Sequence, residues 1–154
     1  MAYSYSISDQ SAVYFLTCTV VNWVDVFTRK DYADIVEDSL NFCIEKKGLI
    51  VYGYVIMSNH VHLIASAKQG YVLADIIRDL KKFSSRAITA AINDNIQESR
   101  KDWMIWMFKR AGEANSNNNT YQFWQQDNHP IELSTNEMMD QRLNYLHVNP
   151  VRSD

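Results

Sequence analysis

His60 and His62 are separated by a single valine in the stretch VIMSNHVHLIAS, Val55 to Ser66. Residues i and i+2 of a strand share a face, so in an extended segment both imidazoles point one way while Val61 and Leu63 point the other. Two such imidazoles can hold one metal ion; they can equally be ordinary polar residues on the wet face of a sheet. A second grouping lies near the end of the chain. Met138, Arg142, Tyr145 and Asn149 fall at i, i+4, i+7 and i+11, which is one stripe of a helix. Facing a two-histidine site, the Tyr145 phenol is a nucleophile and the Asn149 amide oxygen a further metal ligand. Taken singly, Tyr145 is a packed aromatic, and Asn149, just before Pro150, is a helix C-cap.

The third grouping is electrostatic. Net charge is −3, yet between Arg78 and Arg110 eight basic residues stand against four acids. Arg78, Lys81, Lys82 and Arg86 cluster on one helix and are candidate contacts to a DNA backbone, with a solvated helix face as the plainer alternative. His129 and His147 read as surface or structural residues. Trp103, Trp106, Phe123 and Trp124 read as core aromatics, with base stacking as the alternative.

These residues need a scaffold, and the hydrophobic pattern supplies one. Val13 to Val20 alternates and is rich in β-branched residues, which predicts a strand. A helix follows from about Asp31 to Lys47, with Ile35, Ser39, Phe42 and Cys43 at helical spacing and Lys46-Lys47-Gly48 closing it. Leu49 to Met57 and His60 to Ser66 are strands joined by the Ser58-Asn59 turn, hence antiparallel. Val72 to about Ile96 is a long amphipathic helix with Ile76, Leu80, Phe83, Ala87 and Ala91 inward. Trp103 to Phe108 either extends a helix or packs as an irregular segment, and Ala114 to Thr120 is a flexible loop. Tyr121 to Leu133 contains a further strand, and its Pro130 points to an edge or an irregular course. Ser134 to Glu137 is a capping box opening a last helix that stops near Pro150. This order predicts an α+β, ferredoxin-like antiparallel sheet with helices on one face, the histidine strand central, and the other face left for chemistry.

A chain of 154 residues with 47% hydrophobic and 21% charged residues fits a single globular domain, 1–154. No apolar run is long enough to span a bilayer, and MAYSYSISDQ lacks the pattern of a signal peptide, so a cytoplasmic protein is expected. Cys18 and Cys43 have neither metal-site nor disulfide-framework spacing and read as reduced, buried thiols.

VIMSNHVHLIAS resembles the histidine–hydrophobic–histidine motif of the IS200-like single-tyrosine transposases. NYLHVNPVR, DLKKFSS and FWQQDNHP resemble the branch known as REP-associated tyrosine transposases. The resemblance implies an enzyme that cuts and rejoins single-stranded DNA, often at the foot of a hairpin in repeat ends. It implies His60 and His62 as ligands of Mg²⁺ or Mn²⁺, Asn149 as a third ligand, and Tyr145 as the nucleophile forming a 5′-phosphotyrosine link. A membrane partner is not implied; a homodimer is compatible with it. The residue types suit the reaction, because a phenolate is a better leaving group than an alkoxide and a later 3′-hydroxyl can displace it. Two other readings use the same residues. A zinc-type metal hydrolase needs only the histidines and a water, and a non-catalytic, domesticated nucleic-acid-binding domain needs only the sheet and the basic helix.

Overall fold

The computed structural model describes residues 6–114 and 120–152, the last four of these by backbone alone. Its elements are β1 (Tyr14–Thr19), α1 (Lys30–Lys46), β2 (Leu49–Ile56), β3 (His60–Ala67), α2 (Leu73–Asp94), α3 (Lys101–Glu113), β4 (Ile131–Glu132) and α4 (Asn136–Arg152). Two 3-10 turns, Val21–Trp23 and Val26–Thr28, follow β1. The strands form one antiparallel sheet in the order β2-β3-β1-β4, the expected ferredoxin-like arrangement with the histidine strand inside. At the end of α1 the Lys47 amide donates to the Cys43 carbonyl, and Gly48 at φ 77° turns the chain into β2, a conformation that costs glycine little.

Strand alternation divides the core in two. Val61, Leu63 and Ala65 join Leu16, Cys18 and Val20 beneath α1 and α2, and both cysteines are buried free thiols there. On the opposite face Phe15, Val55, Ile64, Leu133 and Leu146 make a smaller cluster, because α4 lies over β2 and β3. The face expected to be open for the histidines is thus partly roofed by the tyrosine helix. Gly53 lets that helix come close: a β-carbon there would stand 3.1 Å from a Leu146 methyl and 3.2 Å from a Leu143 methyl.

Several elements differ from the sequence expectation. The buried stripe of α2 runs through Ile77, Ser84, Ile88 and Ile92, whereas Ala87 is exposed. Large aliphatic side chains remove more apolar surface from water than alanines, so they set the rotation of the helix. Trp103 to Phe108 belongs to a separate helix, α3, that buries Met104 and Phe108. Tyr121 to Leu133 runs beside β1 mostly as irregular chain, joined by an isolated bridge between Val20 and Trp124 before the two-residue β4. The cap of α4 is Thr135, whose hydroxyl accepts the Met138 amide at 3.1 Å, one residue later than the expected box. The helix continues past Pro150 to Arg152, where a missing N–H removes a single bond in the last turn. The expected loop from Ala114 to Thr120 falls largely on residues 115–119, outside the described residues.

Candidate active site

β3 projects His60 and His62 onto the α4 side of the sheet, with ring centroids 4.6 Å apart. Each ring is held through one nitrogen. The His60 Nδ1 lies 2.7 Å from the Asn59 Oδ1, and the His62 Nδ1 lies 3.1 Å from the Thr17 hydroxyl of β1. An amide oxygen only accepts, so His60 carries its proton on Nδ1 and keeps a lone pair on Nε2. The same Asn59 donates its Nδ2 to the Trp23 carbonyl at 3.4 Å, which fixes the amide orientation. Burial pushes the His60 imidazole below the ordinary histidine range. Burial, then the neighbouring His60 and Arg142, push His62 down to about 4. Both rings are neutral at pH 7, the form that binds a metal. The donor set fits one divalent cation: two neutral, oriented imidazoles on one face, each anchored at Nδ1 with Nε2 left to ligate. Among the described residues no third histidine, cysteine or carboxylate joins them. Asn149 lies on α4 one turn beyond Tyr145, and its side chain is outside the described residues.

α4 brings Tyr145 to the pair within the same chain. Its ring centroid is 5.4 Å from that of His62 and 6.0 Å from that of Phe15, and the residue is 41% exposed. Phe15 stacks on His62 at 5.0 Å and carries the Arg142 guanidinium over its ring, 4.6 Å from the centroid. Arg142 also lies 6.0 Å from the Tyr145 ring. A phenol, a cation and two imidazoles therefore converge above Phe15, open to solvent on the tyrosine side. His129 is elsewhere, paired with Asp127 at 3.5 Å.

The four basic residues of α2 line one groove of about 560 Å³, whose other wall is the irregular segment from Thr120 to Asn128. They are not equivalent. Lys81 points inward because of the rotated stripe, and its Nζ donates to the carbonyls of Gln125 at 2.7 Å and Gln126 at 3.4 Å. Lys81 thus differs from the other three as a phosphate contact: burial lowers its affinity for a proton, and two of its three donors already serve the protein. Arg78 pairs with Asp75 and Asp79 on its own helix. Lys82 and Arg86 are exposed and, among the described residues, make no ion pair. Of the four aromatics read as core, Phe123 and Trp124 are buried, but Trp103 is 49% and Trp106 54% exposed.

The sequence model of the family described as Transposase IS200 like matches residues 10–110, two thirds of the chain. This chain belongs to that family. A solved structure of a REP-associated tyrosine transposase bound to a REP hairpin resembles it with a TM-score of 0.67 and 14% identity, covering 99% of this chain and 74% of that one. A protein of Deinococcus radiodurans R1, provisionally described as a transposase, gives a TM-score of 0.54 and 18% identity over 96% of this chain and 97% of its own. Among curated proteins none matches the chain by sequence.

In this IS200-like transposase the matched residues include β3 and α2 but stop before Tyr145 and Asn149. The tyrosine therefore stands on the placement of α4. Sequence reasoning missed Asn59, taken as a turn residue, and Thr17, taken as one more strand position. A signal for Asn59 exists in retrospect: it abuts the histidine pair and carries an oxygen that can set a tautomer. Thr17 gave none, since its partnership with His62 depends on the β1–β3 register.

Proposed function

We propose that the chain is a metal-dependent tyrosine transposase that cleaves and rejoins single-stranded DNA. Tyr145 attacks the scissile phosphate; its oxygen–phosphorus bond forms as the bond to the 3′-oxygen breaks. The products are a 5′-phosphotyrosine link and a free 3′-hydroxyl, and the later attack of a 3′-hydroxyl reverses the exchange. His60 and His62, with Asn149 as the third ligand, would hold Mg²⁺ or Mn²⁺, which when bound supplies positive charge at the phosphodiester. Arg142, placed over Phe15 and beside Tyr145, offers a second positive charge to the same phosphate. Lys82 and Arg86 hold the strand electrostatically along the α2 groove. The partner is DNA with hairpin-containing repeat ends, a reading supported by family membership and by the hairpin complex of the structural relative.

The observation that carries the proposal is the apposition of Tyr145 to the His60–His62 pair, with 5.4 Å between the Tyr145 and His62 rings. A hydrolase using the histidines and a water has no use for that phenol. Incubation with labelled single-stranded hairpin DNA and Mn²⁺, followed by a denaturing gel, tests it. Wild type should give a covalent protein–DNA adduct. Tyr145→Phe keeps the ring and its contacts and should give none while still binding Mn²⁺. An adduct that persists in Tyr145→Phe would move the nucleophile to another residue; DNA binding without cleavage by wild type would favour the non-catalytic reading.

A further inference from the structure

The turn after β1 turns a tryptophan outward. Asn22 at φ 54° and Trp23 at φ 53° both adopt the left-handed region, which is tolerable for asparagine and unfavourable for an aromatic residue. The result is an indole 67% exposed to solvent. It is held, not frayed: the Val21 amide donates to the Phe123 carbonyl at 2.9 Å, the Trp23 amide to the Val20 carbonyl at 3.0 Å, and Asn59 to the Trp23 carbonyl. Trp106 of α3 is exposed nearby and carries the Arg110 guanidinium 5.4 Å from its ring centroid. Trp23, Trp106, Met107, Arg110 and Gln125 line one open cleft of about 620 Å³.

Two connections give this cleft a direction. Gln125 also lines the basic α2 groove, so the two depressions adjoin. At the other side Asn59 joins the Trp23 turn to the His60 ring. The cleft is thus linked through Gln125 to the basic groove and through Asn59 to the histidine strand. The cleft offers flat π faces and a guanidinium, which suits a nucleobase with its phosphate: the ring stacks on indole and the phosphate meets Arg110. An apolar peptide would fill the π faces and leave the arginine unmatched.

We infer that Trp23 and Trp106 form a stacking site for an unpaired base of the DNA strand entering the active site. The inference rests on the reading of the chain as a single-strand DNA enzyme and adds where a base is gripped. Binding of a short fluorescein-labelled oligothymidylate, its abasic counterpart and a matched duplex is measured for wild type, Trp23→Ala/Trp106→Ala and Lys82→Ala/Arg86→Ala. The tryptophan variant should bind oligothymidylate about tenfold more weakly per stacked base and the abasic strand as wild type does. Indole fluorescence of wild type should be quenched by oligothymidylate and not by the abasic strand. The basic-residue variant should weaken both strands alike and keep the difference between them. Both targeted indoles are exposed, so the fold is expected to survive, and equal melting temperatures check this. Equal affinity of the tryptophan variant and wild type for oligothymidylate overturns the stacking site while leaving the DNA reading intact. If that variant instead loses self-association with DNA affinity unchanged, the cleft is an interface between copies and the inference is overturned. Wild type that binds none of the three nucleic acids sinks the inference and the functional reading together.

Discussion

His60 presents its Nε2 because the preceding residue captures its Nδ1, an arrangement made within a single peptide unit. Asn59 uses both ends of its amide, one on the ring and one on the Trp23 carbonyl, so it also ties the ring to the neighbouring turn. Losing such an orienting partner usually costs 10- to 100-fold in metal affinity, on the order of 1–3 kcal/mol. Asn59→Ala should therefore weaken Mn²⁺ binding by about that factor in calorimetric titration, while Asn59→Asp, which keeps an accepting oxygen, should hold close to wild type. Equal affinity in Asn59→Ala would remove the residue from the site. That the two histidines share a strand face and that Tyr145 lies on a helix stripe was legible from spacing, because strand and helix periods determine which residues share a face; their proposed roles came from the family resemblance. The contacts of Asn59 and Thr17 were not legible, since a histidine's hydrogen-bond partner is chosen by turn geometry and strand register. Arg142 was visible only as a member of the tyrosine stripe; its seat over Phe15 required the sheet.

α2 shows how a small rotation redistributes function along an element. The sequence pattern placed Phe83, Ala87 and Ala91 inward, but Ile77, Ile88 and Ile92 took those positions and carried Lys81 partly into the protein. Lys81 now anchors the irregular segment beside β1, whereas Lys82 and Arg86 remain exposed. Opposite outcomes follow for neighbouring lysines. Lys82→Ala with Arg86→Ala should lower single-strand DNA affinity and flatten its salt dependence by a log–log slope of about 0.7 per lost phosphate contact. Lys81→Met should leave that slope as it is and cost about 1.5–3 kcal/mol of stability through the lost charged hydrogen bonds, seen in urea denaturation. A changed salt slope in Lys81→Met would restore it to the DNA-binding set. The elements themselves were largely legible, since long periodic segments announce their type. The bounds of β4 within Tyr121 to Leu133 were not legible, because that segment bonds to β1 through scattered single contacts that leave no alternation in the sequence.

At the scale of the whole molecule, the connection between α2 and α3 is held by one buried carboxylate. Glu98 has no exposed side-chain surface, yet it receives the Arg29 guanidinium at 2.9 Å, the Arg100 guanidinium at 3.1 Å and the Tyr32 hydroxyl at 3.1 Å. Arg100 continues to Asp25 at 2.8 Å, so the network joins the turn after β1 to the start of α1 and the α2–α3 link. Nothing in the sequence distinguishes Glu98 from a surface charge, because its burial depends on two distant donors, Arg29 and Tyr32, arriving beside the local Arg100. Burial pushes its carboxyl up, but the hydrogen bonds from Arg100 and Tyr32 outweigh this and hold it at about 2. His62 is displaced in the same direction, to about 4 from an ordinary 6.5. In both cases the folded state releases the proton more readily than the unfolded chain, so stability is complete above the unfolded value and declines as pH falls. Two windows result for metal-free protein: a decline from pH 6.5 toward about 4 owed to His62, and one from 4.5 toward about 2 owed to Glu98. Melting temperatures measured across both windows in chelator should separate them. His62→Gln should lose most of the upper slope and keep the lower. Glu98→Gln should start about 1–3 kcal/mol less stable, having left two partly exposed arginines short of a charge, and be flat in the lower window. A His62→Gln protein whose melting temperature falls as steeply as wild type between pH 6.5 and 4 would show that the His62 ring is not held neutral by burial.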